Sequence, residues 1–240
     1  MTWVLFIKSD CQQKFGGANL HENFIYILKM QASYAFYLHT DYLWHMSIIK
    51  RKKASRKNLI LQKAAAMFRE KGYAATSMRD LADTVGIEAA SLYNHIKSKS
   101  EMLQEIIFRI ATDAYVHLED MEDEGLSSLQ RIESIMRFHI KMNIDRFEEY
   151  HVMVTEWIHL EEPYLTNFTT QRRNYVQKLE SIIQQGIDNK EIKPLLPYVA
   201  VLNILSSIRG IEFWHRSRKT YSAEQIEENM VTHLLTGLKK

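Results

Sequence analysis

The chain has few of the residues that define several large classes of protein. It contains one cysteine, Cys11, which excludes an internal disulfide framework and favours a reducing compartment. Its three prolines and eight glycines are too few for a low-complexity chain. No apolar run approaches the roughly 20 residues that cross a bilayer. A signal peptide has a basic region before its apolar run, and the apolar residues at the start of this sequence have none before them. These absences predict a cytoplasmic, ordered globular protein with no membrane partner.

Patterns typical of catalysis and metal binding are missing as well. The sequence has no glycine-rich phosphate-binding loop. His151, Glu156 and His159 come nearest to a metal site, but their spacing fits no standard ligand set and solvated helix residues explain them better. We therefore predict no catalytic residue, no metal and no cofactor, and not an enzyme.

The charge is distributed unevenly along the chain. Residues 46–101 carry 12 Lys and Arg against 5 Asp and Glu, whereas residues 102–240 carry 16 against 21. A basic segment beside an acidic remainder is typical of proteins that bind nucleic acid through one part of the chain. A solvated basic face is the alternative.

The first 45 residues differ from the rest. They hold ten of the 26 aromatic residues and lack a sustained helical period, and Met46 then opens a basic arm with six cations between Lys50 and Lys57. We expect residues 1–45 to be an upstream extension, a non-native start or tag-like segment, with a functional extension that packs on the body as the alternative. The arm either binds phosphates and the minor groove or is a solvated tail.

From residue 56 onward, apolar residues recur at helical spacing almost without interruption. A capping box at residues 98–101 begins a long helix towards Glu122, and helices follow at about 126–144, 146–159, 162–188, 197–216 and 222–238. The predicted fold is all-α with about nine helices. It comprises an N-terminal three-helix domain (46–101, the head) and a C-terminal helical domain (102–240, the body).

Within the head, residues 76–103 predict a helix-turn-helix. Leu81, Ala82 and Val85 give the first helix an apolar face, and Gly86 can adopt the left-handed conformation that ends it. A short second helix over Ala89–Ile96 follows. In this motif the second helix is presented to the major groove of DNA, so the predicted partner is double-stranded DNA.

The same segment resembles the N-terminal signature of the TetR (tetracycline repressor) family. The resemblance rests on Thr76-Ser77, Leu81-Ala82, Gly86-Ile87, Leu92-Tyr93, His95, Ser98-Lys99 and Leu103. Glu88 stands where the family often has a serine cap, and Ala90 where a glycine is common. The resemblance implies a ligand-responsive transcriptional repressor that is released from its operator by a small inducer. A helical adaptor without specific DNA binding is the alternative.

Ten residues of the head are candidate DNA contacts. The resemblance makes Tyr93, His95 and Lys99 contacts to the DNA backbone, and their donors suit phosphate oxygens. Thr76 and Ser77 either donate to phosphate or cap a helix, and Arg79 either grips the backbone or is solvated. Base reading falls to the outward positions Glu88, Ala89, Ser91 and Asn94, of which Asn94 can pair with adenine.

The resemblance makes the body an inducer pocket and a dimer interface. The candidate ligand residues are Phe138, Met142, Met153, Trp157, Phe168 and Tyr175, with Arg172 and Arg209 as partners for an anionic group. Ordinary core packing and surface ion pairs would give the same pattern. The C-terminal residues 208–238 are similar to TetR-type regulators of fatty-acid degradation, which respond to acyl-coenzyme A (acyl-CoA). The inducer is therefore expected to be an acyl-CoA or another lipophilic compound.

The last two predicted helices carry apolar stripes that suit a homodimer interface, although an intramolecular core would look the same. The stripe residues are Val199, Leu202, Leu205 and Ile208, with Ile226, Met230, Leu234 and Leu238. Two-fold operators are read by dimers, so DNA binding independently favours a homodimer.

Overall fold

The structure is a computed structural model that describes residues 56–121, 125–217 and 221–240. These residues form ten α-helices and no strand apart from one isolated bridge between Ile192 and Lys239. The helices are α1 Arg56–Lys71, α2 Met78–Val85, α3 Ala89–Tyr93, α4 Lys99–Asp120, α5 Ser128–Asp145, α6 Phe147–Thr155, α7 Tyr164–Asp188, α8 Pro197–Arg209, α9 Ile211–Ser217 and α10 Ala223–Leu238. A short 3-10 helix, Trp157–His159, lies between α6 and α7.

The predicted all-α fold is confirmed, with three differences of detail. The helix expected over 146–159 ends at Thr155 and is followed by the 3-10 helix. The segment expected as one helix over 197–216 is divided between α8 and α9 at Gly210. The recognition helix α3 ends at Tyr93 rather than at Ile96. The predicted extension over residues 1–45 and the arm up to residue 55 lie outside the described residues.

The helix starts follow the sequence closely. Ser77, Ser127 and Ser222 each begin a helix with a complete capping box. At α4 the Ser98 side chain accepts the N–H of Glu101, but the Glu101 carboxylate accepts the N–H of Lys97 instead of closing the box. These caps fix where α2, α4, α5 and α10 begin.

Two large apolar clusters hold the described residues together. The first joins α1, α2 and α3 to the first half of α4, and it includes Phe68, Leu81 and Leu92. The second joins α5, α7, α8 and α10 with the end of α4, around Met136 and Ile183. Because α4 contributes to both clusters, it connects the head to the body. The domain division at residue 101 stays a prediction.

No helix in these described ranges is long and apolar enough to span a bilayer.

Candidate DNA interface and ligand site

The turn between α2 and α3 has the geometry that a helix-turn-helix requires. Gly86 lies at φ 75°, in the left-handed region that favours glycine, and its N–H donates back to the end of α2. The N–H of Ile87 donates to the carbonyl of Ala82 at 3.0 Å, which closes the turn. Glu88 precedes α3 without a side-chain cap. The five residues of α3 are therefore held mainly by packing through buried Leu92.

The predicted base-reading positions lie together on the accessible side of α3. Glu88, Ala89 and Asn94 are exposed, and Ser91 is half-buried. The Tyr93 side chain is 51% exposed, and His95 is half-buried at the exit of the helix. Arg79 is exposed on α2. This arrangement is compatible with DNA contact, and the individual contacts stay predictions.

The position of Thr76 favours a structural role over a DNA contact. It is only 2% exposed, and its hydroxyl donates to the carbonyl of Gly72 at 2.9 Å. A buried, hydrogen-bonded hydroxyl is not accessible to a phosphate. Ser77 is exposed, but its hydroxyl donates to Asp80 Oδ2 at 2.7 Å and accepts the Asp80 N–H. The Ser77 hydroxyl and the Ser77 N–H both donate to the Asp80 carboxylate and lower its pKa. Ser77 therefore has the capping role that the sequence left open.

Lys99 faces the head and not the solvent. Its Nζ donates to the carbonyl oxygens of Tyr73 at 2.9 Å and Thr76 at 2.8 Å, and it lies 4.3 Å from the centre of the Tyr73 ring. An ammonium with carbonyl partners and a ring face is well satisfied where it is. The geometry therefore gives Lys99 the role of fastening the α1–α2 turn, and its phosphate contact stays a prediction.

Four of the predicted ligand residues come together inside the body. Phe138 and Met142 on α5, Met153 on α6 and Tyr175 on α7 pack around Ile110, Ala114 and Tyr150. We call these seven residues the inner cluster. It lies between α4, α5, α6 and α7, and α4 is the helix that connects the head to the body.

Of the remaining predicted ligand residues, Arg209 lies near the inner cluster, since its charge acts on the Tyr150 hydroxyl, and the other three lie elsewhere. Phe168 is 3% exposed and belongs to the first of the two large apolar clusters, which we call the head core. Its ring centre lies 6.2 Å from that of Phe108. Trp157 packs against the same cluster, and Arg172 lies over its ring at 5.4 Å. Arg209 is exposed on α8. Phe168 therefore joins the body to the head, and its predicted ligand contact is not supported by its position.

Sequence reasoning missed His139, which lies beside the inner cluster and contacts the hydroxyls of its two tyrosines. His139 is buried, and its Nε2 lies 2.7 Å from the Tyr175 hydroxyl while its Nδ1 lies 3.5 Å from the Tyr150 hydroxyl. Burial lowers the pKa of His139 to about 4, and nearby His117 adds to the effect. Burial also raises the pKa of both tyrosine hydroxyls. All three groups are thus neutral near pH 7. The sequence did contain a signal for this group, since His139 stands among the apolar residues of α5.

The neutral state of His139 predicts a pH dependence of stability. Its pKa is about 4 in the folded protein and 6.5 without the fold, so the unfolded chain takes up the proton first as the pH falls. We expect this group to remove about 2 kcal/mol of unfolding free energy between pH 7 and pH 5. Urea unfolding of the wild type and His139→Gln at both pH values measures it. At pH 7 the variant should have a lower free energy of unfolding than the wild type, and this difference should shrink at pH 5. A difference that is the same at both pH values would contradict the prediction.

The head and body are also joined by polar contacts. The N–H of Tyr73 donates to Glu156 Oε2 at 3.2 Å, and the Tyr73 ring stacks on His159. Two of the three residues weighed as a metal site, Glu156 and His159, are thus used at this junction, whereas His151 lies 3.7 Å from Glu212 on α9. Among the described residues, no group of three or more His, Cys, Asp or Glu side chains could hold a metal ion.

The predicted interface residues divide between surface and core. Val199 and Leu202 are 45% and 44% exposed, whereas Ile208 and Leu238 are buried within the chain itself. The other four stripe residues are partly buried against the body core. An apolar groove of about 290 Å³ lies between α8 and α10, lined by residues including Leu196, Val199 and Leu234. The exposed face is therefore narrower than the stripes suggested.

A helix-turn-helix head with an accessible recognition helix, mounted on a helical body, defines a DNA-binding regulator and not an enzyme. Comparison with family models agrees. Residues 60–106 match the model described as bacterial regulatory proteins of the tetR family, and residues 125–238 match a tetracyclin repressor-like C-terminal domain. The chain belongs to the TetR family of transcriptional regulators. Proteins of this family bind operator DNA as dimers and respond to small ligands, so the prediction of a ligand-responsive repressor is confirmed.

Several relatives resemble the chain over most of its length. The transcriptional repressor KstR2 of Mycobacterium tuberculosis is 27% identical over 192 residues, which cover 78% of this chain and 94% of KstR2. KstR2 of Mycolicibacterium smegmatis is 26% identical over 77% of this chain and 91% of its own length. The solved structure of the M. tuberculosis ketosteroid regulator KstR2 superposes with a TM-score of 0.72 at 25% identity, covering 78% and 96% of the two chains. AibR, solved with isovaleryl coenzyme A and operator DNA, has a TM-score of 0.65 at 24% identity, covering 75% and 98%.

Proposed function

We propose that the protein is a cytoplasmic homodimeric repressor whose inducer, an acyl-CoA or another lipophilic compound, binds at the inner cluster. One observation carries this proposal: the segment 150–168 contributes some residues to the inner cluster and others to the head core. Tyr150 packs in the inner cluster, whereas Val152 and Phe168 pack in the head core and Met153 contacts both. A ligand that parts the inner cluster would therefore displace residues on which the head rests.

The chemistry of the body supports an inducer that is mostly apolar. The inner cluster offers aromatic, methionine and aliphatic side chains, which adapt to apolar ligands of different shape. The exposed guanidinium groups of Arg172 and Arg209 are available for the phosphates of coenzyme A. The relative KstR2 is described as a ketosteroid regulator, and AibR shows that this fold accommodates an acyl-CoA. The inducer shifts the equilibrium between the operator-binding conformation and the released conformation only as far as its affinities for the two differ.

A second copy of the chain is the proposed occupant of the exposed face on α8. Leu196, Tyr198, Val199 and Leu202 are each at least 44% exposed and follow one another within two turns. A contiguous apolar surface of this kind marks an interaction site. A two-fold contact there would hold two heads at a fixed separation, as a two-fold operator requires.

Specific DNA binding tests the proposal directly. An operator is first selected from a random duplex library with the full chain, and its affinity is then measured by fluorescence anisotropy at several salt concentrations. Asn94→Ala should weaken binding by about 1–3 kcal/mol and relax sequence preference at one position of each half-site. Asn189→Ala, the same change at the end of α7, is the matched control and should bind normally. A library that yields no specific site would refute the proposed function.

A further inference from the structure

Three polar side chains form a chain of hydrogen bonds at the inner cluster. The Tyr175 hydroxyl lies 2.7 Å from His139 Nε2, and the Tyr150 hydroxyl lies 3.5 Å from His139 Nδ1. Tyr150 and His139 are each 5% exposed. Part of the Tyr175 ring is accessible, but its hydroxyl is buried. The side chains of Ile110, Ala114 and Met142 pack with the two tyrosines.

The three side chains have more hydrogen-bond donors than hydrogen bonds between them. A neutral imidazole carries one N–H and each phenol carries one O–H, so three donors are present for two contacts. Whichever ring nitrogen carries the proton, one O–H has no acceptor among the contacts of the described residues. Tyr150 is held by the longer contact, so its hydroxyl is the donor most available to a ligand. An unmatched donor in an apolar site is unfavourable until an acceptor arrives.

We propose that the Tyr150–His139–Tyr175 chain is the specificity element of the inducer site and donates a hydrogen bond to an uncharged carbonyl oxygen of the inducer. The inference rests on the proposed function, which places the inducer at the inner cluster. A thioester carbonyl has this chemistry, since it accepts a hydrogen bond and adds no charge to the apolar site. The neutral state of all three protein groups near pH 7 agrees with that preference. An alkyl chain alone would leave the donor unmatched.

A comparison of thioesters with thioethers isolates the carbonyl. Butyryl-, octanoyl- and palmitoyl-CoA are titrated into the full-length protein by calorimetry, each beside its S-alkyl-CoA thioether, which has the same chain without the carbonyl oxygen. We expect the best-bound thioester to bind about tenfold more tightly than its thioether, the value of one buried hydrogen bond. In Tyr150→Phe the ratio should fall below about twofold because the donor is lost.

Three further measurements make the outcome decisive. Tyr221→Phe, the same change at an exposed tyrosine, should keep the wild-type ratio. Tyr175→Phe provides a second variant of the chain, and operator affinity without ligand verifies that each variant is folded. Equal binding of thioester and thioether by the wild type would overturn the carbonyl contact while leaving the proposed function intact. A wild-type ratio retained in both tyrosine variants would also overturn it. Failure of every CoA compound to bind would instead refute the acyl-CoA inducer, and this contact with it.

Discussion

Leu202→Glu in α8 is expected to make the protein monomeric and to weaken operator binding by about 100-fold or more. Leu202 is 44% exposed beside Val199 on the face that we propose to be covered by a second copy. A two-fold contact brings each substitution into the interface twice, so two carboxylates would be buried in an apolar surface without partners. Because a monomer binds one half-site only, it loses the advantage of two linked heads.

Oligomeric state and DNA affinity are measured on the same preparation, by light scattering after size exclusion and by fluorescence anisotropy. Val116→Glu is the matched control, since Val116 is 47% exposed on α4 and lies outside the proposed interface. That control should remain dimeric and bind the operator normally. A Leu202→Glu protein that stays dimeric would move the interface to another face, and a monomer with full affinity would contradict two-fold recognition.

The head could be predicted because its determinants are local in sequence. Gly86 ends α2 through a left-handed conformation, and Ser77 caps α2 through Asp80 three residues later. Caps, turn glycines and helical spacing act within a few residues, so a single sequence displays them. The same argument explains the correct prediction of α5 and α10, which begin at Ser127 and Ser222.

Side-chain roles that depend on distant residues were harder to predict. Lys99 looks like a phosphate contact at the start of α4, yet its ammonium reaches carbonyls 23 and 26 residues earlier in the chain. Thr76 looks like a cap or a phosphate donor but is buried. Periodicity indicates that a residue faces the interior without showing which partner it meets. Long-range partners require the fold itself.

The candidate ligand residues show the same limit within the body. Met142 and Phe168 both occupy apolar helix faces, but one packs in the inner cluster and the other in the head core. His139 was not predicted because one histidine among apolar residues can be either a hydrogen-bonded core residue or part of a ligand site. Its two tyrosine partners, on α6 and α7, distinguish the cases.

Phe168→Ala is expected to destabilise the protein by about 3–5 kcal/mol, the usual loss when a buried phenylalanine is truncated. Phe168 is 3% exposed, and its ring lies 6.2 Å from Phe108 and 6.1 Å from Trp157, measured between ring centres. It is the fully buried residue that α7 contributes, beside partly buried Leu165, to a core built mainly by α1 to α4. Its loss should therefore destabilise the head as well as α7, and weaken operator binding in parallel.

Urea unfolding followed by circular dichroism measures the change, and Phe213→Ala provides the matched control. Phe213 is 73% exposed on α9, so the same truncation there should change the unfolding free energy by less than about 0.5 kcal/mol. A loss below about 1 kcal/mol for Phe168→Ala would show that the head core is stable without α7. In that case the inner cluster would need another route to the DNA, through α4 or through the contact between Tyr73 and Glu156. A full loss would instead show that α7 supports the head core, as transmission from the inner cluster through residues 150–168 requires.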